Sequence, residues 1–150
     1  MIANYFELEP ALIERIKTMM PELNDVYGMS DLTAIRDRAA NLAPCVCVVY
    51  DGDTIPGGEG SRGGQGEAQV VFQRWVLWLI VRNVRELQEG RDARNDAGPL
   101  ASKLIKSIAG WQPTSNSGFR KLRRISAPRP LYDAGTIHIP ILFEAPLITV

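Results

Sequence analysis

One histidine, two cysteines and a formal net charge of zero leave this 150-residue chain with little material for several kinds of chemistry. His138 has no Ser or Cys in a nucleophile context to work with, so a catalytic triad lacks its parts. Cys45 and Cys47 would need further ligands to hold a metal, and the acids are scattered over predicted loops and helix faces. No catalytic residue, metal ligand set or cofactor site is therefore expected, and the chain reads as non-enzymatic. Seventeen basic residues balance seventeen acidic ones, so no global field draws in nucleic acid or an anionic membrane, and little opposes self-association. Long hydrophobic runs are missing as well. Val76–Val81 is far shorter than the ~20 residues of a membrane span, and MIANYFELEP lacks the basic and apolar parts of a secretory signal. No membrane partner is expected. The two cysteines are expected on opposite faces of a strand, as small buried apolar groups rather than a disulfide, which suits a reducing compartment.

What the chain does have is one exceptional stretch, Ala68–Arg82, AQVVFQRWVLWLIVR. Ten of its fifteen residues are Val, Leu, Ile, Phe or Trp, and none is Gly or Pro. Such β-branched and aromatic density favours a strand over a helix. At ~3.3 Å per residue it would run roughly 50 Å, far beyond the usual five or six residues. Both alternating faces are apolar through the centre, so the stretch reads as a central strand that needs cover on both sides.

Around it the chain is of ordinary composition, 45% apolar and 23% charged, and long enough for a single domain spanning residues 1–150. A first helix is expected from about Glu9, with Pro10 in its first turn and Pro21 beyond its end. Ser30 would cap a second short helix carrying Leu32, Ile35 and Ala39. The intervening ELNDVYGM reads as a connection. A compact strand, Cys45–Tyr50, precedes residues 51–67, which hold seven glycines and one proline and read as the flexible tip of a long hairpin. A helix with Ala97, Leu100, Ala101, Leu104, Ile105 and Ile108 on one stripe follows, with Pro99 in its first turn and Gly110 at its end. A basic strand, Phe119–Ala127, and a last strand, Thr136–Glu144, complete the order, with Pro140 marking an edge or a bulge. The tail APLITV is expected to dock on this chain or a neighbour. The fold class is α+β: a mainly antiparallel four-stranded sheet with a long central strand and hairpin, and helices packed on one face.

Two motifs invite sharper readings. Gly58, Gly60 and Gly63 match G-x-G-x-x-G, but they sit inside a longer glycine tract that leads into a strand rather than a helix, so phosphate binding is not supported. Arg120, Lys121, Arg123, Arg124 and Arg129 form a cluster of cations with no intervening acid. Strand alternation would divide them between faces, and no aromatic residues are interleaved as in a single-strand-binding sheet. A solvated edge or intersubunit salt bridges suit them better than passive contact with DNA, which stays open as the alternative.

The combination of a short strand, the QRWVLWLIVR strand, an AGPL helix, a GWQP turn and the ending GTIHIPILFE resembles the tail terminator proteins of Mu-like phages and prophages, the gp37-type family. The residues that carry the resemblance are Gln73, Trp75, Val81 and Arg82 on the strand, Ala97, Gly98 and Leu100 on the helix, and Gly110, Trp111 and Pro113 after it. Gly135, Leu142 and Phe143 carry it near the end. The resemblance implies a homo-oligomeric ring, usually a hexamer, that caps the head-proximal end of the tail tube, ends tube polymerisation and offers a surface to head-completion or connector proteins. Its partners would be itself, the tail tube protein and the connector, and its place the virion tail, after assembly in the host cytoplasm. Another head–tail joining or tail-completion role is the neighbouring alternative. Trp75, Trp78, Arg82, Trp111, Arg120, Arg123 and Arg124 are the residues expected at subunit or partner interfaces, the aromatics as buried anchors.

Overall fold

A computed structural model describes residues 4–28, 41–56, 69–82, 91–114, 118–133 and 135–149, with residues 91–95 described by their backbone only. The elements are α1 (Leu8–Met19), β1 (Asp25–Gly28), β2 (Cys45–Thr54), β3 (Gln69–Arg82), α2 (Arg91–Ile108), β4 (Arg123–Ile125), β5 (Leu131–Asp133) and β6 (Thr136–Thr149). The fold is α+β, but the sheet is six-stranded and mixed rather than four-stranded and antiparallel. Its order is β1-β2-β3-β6-β4, with β5 also paired to β6. β1 runs parallel to β2, and every other pairing is antiparallel. The expected helix carrying Leu32, Ile35 and Ala39, and the glycine tract from 57 to 66, lie outside the described residues.

β3 is the central strand. It pairs with β2 from Phe72 to Ile80 and with β6 along its whole length, Gln69 opposite Thr149 and Arg82 opposite Thr136. One face, with Trp75, Leu77, Leu79 and Val81, belongs to the main core together with Leu8, Leu12 and Ile16 of α1 and Ala97, Leu104 and Ile108 of α2. The i, i+4, i+8 spacing in α1 puts its three buried residues on one stripe. Glu9 in the first turn and Lys17 in the last complement the helix dipole. Both helices pack on this one side of the sheet.

Several element bounds differ from expectation, each for a local reason. β2 continues past Tyr50 to Thr54 through a bulge, because Gly52 adopts φ +90° and absorbs an extra residue. The glycine-rich segment taken as loop from residue 51 therefore begins as strand. α2 starts at Arg91, so Pro99 lies inside the helix, which forgoes one intrahelical hydrogen bond there. The basic strand shrinks to β4 plus one bridge, Phe119 opposite Leu147.

β6 runs on through the tail to Thr149, so APLITV docks as strand on β3 of its own chain. Pro140 marks neither an edge nor a bulge, since its register with β3 is unbroken. Pro146, in the same alternation, points its carbonyl away from β3, where it accepts from the Arg120 N–H at 2.8 Å. Pro140 thus turns its missing donor to that same outer side, into the interval between the partners of β5 (136–138) and of β4 (142–144). Ladder bonds to β3 are not lost.

Cys45 and Cys47 are buried and free, and they share one face of β2, in a second small cluster with Tyr27, Ile80, Leu42 and Trp78. Residues two apart on a strand point the same way, so the expectation of opposite faces was wrong. His138 and Thr136 are buried too.

Candidate assembly surface

The residues expected at interfaces fall into three environments. Trp75 is fully buried, and its indole Nε1 donates to Gln73 Oε1 at 3.1 Å. Gln73, itself fully buried, donates through Nε2 to the Tyr5 carbonyl at 2.8 Å. Trp75 thus stands inside its own chain. Trp78 is half-buried in the second cluster, opposite Cys47 and Pro140. Trp111 is half-buried after α2, with the Arg15 guanidinium 5.6 Å over its ring. Arg15 Nε also donates to the Ser107 carbonyl at 3.1 Å, so this aromatic helps join α1 to α2. Gly110, at φ +75°, makes the turn before it possible, and its N–H donates to the Leu122 carbonyl at 2.8 Å.

The cations lie outside. Arg82 is exposed at the end of β3. Arg120, Lys121, Arg123, Arg124 and Arg129 are all exposed. β4 register sets Arg123 opposite Glu144 on the helix-free face and Arg124 opposite Phe143, which faces the main core. Arg123 forms a 2.8 Å salt bridge with Glu144 and lies 5.0 Å over the Phe72 ring. Glu144 is in turn opposite Arg74 of β3, so charges alternate across three strands. Arg74 reaches the Asp51 carbonyl at 3.4 Å, while its buried Nε has no hydrogen-bond partner.

The β2 bulge shapes a second polar group. It places Asp53 on the same face as Tyr50, since their partners Gln73 and Trp75 are two apart. The Tyr5 and Tyr50 hydroxyls both donate to Asp53 Oδ2. Burial, and then the bond to Asp53, raises the Tyr5 pKa well above the usual tyrosine range. Burial also raises that of Tyr50. Phe6 packs edge-on to both rings, at 5.4 and 5.0 Å. The arrangement ties the segment before α1 to the sheet. Among the described residues no three His, Cys, Asp or Glu side chains gather as a metal site.

Large apolar side chains left exposed are the signal that sequence reading missed. Phe6, Ile55 and Val70 lie toward the β2–β3 end of the sheet, and Leu131 and Tyr132 stand on β5, with Met19 exposed at the end of α1. Alternation alone does not tell which apolar strand positions remain uncovered.

The central strand thus carries helices on one side and an open, charge-striped end on the other. The profile of the phage tail terminator protein family matches residues 1–149, and the chain belongs to that family. Among solved structures, a chain from the virion of a native gene transfer agent particle is similar over 97% of this chain and 100% of that one, with a TM-score of 0.57 and 14% identity. At that identity the likeness is one of fold. No curated protein matches the chain.

Proposed function

We propose that this protein acts as one terminator domain, residues 1–150, that closes the head-proximal end of a phage tail tube as a homo-oligomeric ring, a hexamer, ending tube polymerisation and presenting a surface to a connector or head-completion protein. The observation that carries this reading is the family match over residues 1–149. The family and the similar chain from a gene transfer agent virion support a place in the virion tail among other particle proteins; assembly in the host cytoplasm is part of the proposal. The role is structural: no catalytic step, cofactor or metal enters it. The test is native mass spectrometry and electron microscopy of the purified chain mixed with polymerising tube protein. Rings of six on capped tubes of limited length are expected; tubes that grow unchanged beside a monomeric chain would refute the reading.

A second reading has its own observation, the common exposure of Arg120, Lys121, Arg124 and Arg129 beside Arg123. If these cations meet DNA passing through the ring, five phosphate contacts give a log–log salt slope of about −4.5. Charge reversal of Arg123 and Arg124 would then lower that slope by roughly two-fifths. A slope unchanged by the double variant removes the DNA contact.

A further inference from the structure

The two ends of β6 carry different unfinished surfaces. Toward its start stands β5, where Leu131 is 46% and Tyr132 50% exposed and Asp133 is exposed beside them. The preceding residues Ser126–Arg129 are exposed as well, and Pro128 and Pro130 stiffen that approach. Toward its end, β6 pairs with the first half of β3, where Val70 is 44% exposed and shares the helix-free face with half-buried Phe72 and Arg74. About ten residues of strand separate the two places, or roughly 33 Å.

Their chemistry is complementary. On β5 an apolar residue and an acid, Leu131 and Asp133, lie two apart and so share a face. On β3 apolar Val70 and Phe72 are followed at the same spacing by half-buried Arg74, whose guanidinium reaches the Asp51 carbonyl at 3.4 Å. Both patches open on the helix-free side of the sheet, at opposite ends of β6, and a contact between the unlike patches of two copies is heterologous, so it can repeat around a ring.

We propose that the occupant of the Val70–Phe72–Arg74 surface is β5 of a second copy of this chain, with Leu131 on Val70 and Phe72 and Asp133 facing Arg74. Tyr132, between them, points to the opposite face of β5 and stays outside this contact. This assignment rests on the ring reading above and names the surfaces that would close it.

The test uses the full chain with tube protein present and two variants, Leu131→Glu and Val70→Glu, each at an exposed position. Each variant alone stays folded by circular dichroism and forms no ring, since every contact in a homogeneous ring needs both patches. Mixed in equal amounts, they form a one-to-one dimer that cannot grow, because one intact patch of each kind remains. Should either variant fail to fold, Leu131→Ser and Val70→Thr replace it, and a several-fold loss of ring population is expected. Rings that either glutamate variant still closes overturn the assignment and leave the ring reading standing, as does a mixture that stays monomeric. A wild-type chain that forms no ring, or only a closed dimer, overturns the ring reading itself.

Discussion

β3 carries Trp75, Leu77, Leu79 and Val81 on one face and Val70, Phe72, Arg74, Val76, Trp78 and Ile80 on the other. The first set is buried from end to end under α1 and α2. The second is covered only in part: Ile80 is fully buried with the cysteines, whereas Val70 is open and Phe72 and Arg74 are half-covered. Apolarity on its own does not decide which face becomes core. The helices settle it on one face, and on the other the cover fades toward the amino end of the strand, where charges from β4 and β6 take over. The same strand thus holds the chain together at one end and leaves a surface at the other.

Substitutions along this gradient should sharpen or break the contrast. The largest effect is expected for Phe143→Ala, opposite Trp75 on the helix-covered side. Loss of a fully buried ring with its cavity should cost about 3–5 kcal/mol in urea unfolding. A loss below ~1 kcal/mol would mean that this face is not the main core. Gln73→Ala comes next. It leaves the buried Trp75 N–H and the Tyr5 carbonyl without their partner, and should cost about 1–3 kcal/mol. An unchanged midpoint would show that the amide is dispensable there.

Tyr5→Phe is a smaller perturbation, about 0.5–1.5 kcal/mol, through the lost bond to Asp53. It also carries a pH signature. Burial and Asp53 hold the Tyr5 hydroxyl protonated in the fold above the unfolded value of about 10. Above that value the unfolded state binds fewer protons than the native one, so stability falls as pH rises. The contribution is fully present below about pH 10 and declines above it, and Tyr5→Phe should flatten that alkaline limb. Equal limbs in denaturation series across that range would contradict this. Val70→Ala should move the folding stability least, within about 0.5 kcal/mol, as its side chain is largely exposed. A larger loss would place Val70 in the core after all.

Much of this architecture is legible in the sequence where a periodic apolar pattern is long. β3 announces itself by density, and α1 and the Ala97–Ile108 stripe by spacing. β1 and β5 do not. Asp25–Gly28 and Leu131–Asp133 are too short to show a period, and they become strands only because β2 and β6 offer them partners. Asp51-Gly52-Asp53 reads as turn chemistry, yet here the glycine makes a bulge that keeps the strand going. Pro140 suggests an edge or a bulge, because a pattern does not reveal which side of a strand a missing N–H faces. The expectation of Trp75 and Trp78 as interface anchors meets a related limit of pattern. Trp75 and Trp78 lie on opposite faces of one apolar strand, and only the placement of the helices makes the first a core residue.

The most direct test of the divided strand is hydroxyl-radical footprinting of the chain before and after it assembles with tube protein. Assembly is expected to shield Val70, Phe72 and Leu131 several-fold while Trp75 and Phe143 stay unreactive throughout. Shielding confined to other positions, with Val70 and Leu131 as reactive in the assembly as in the free chain, would contradict the account.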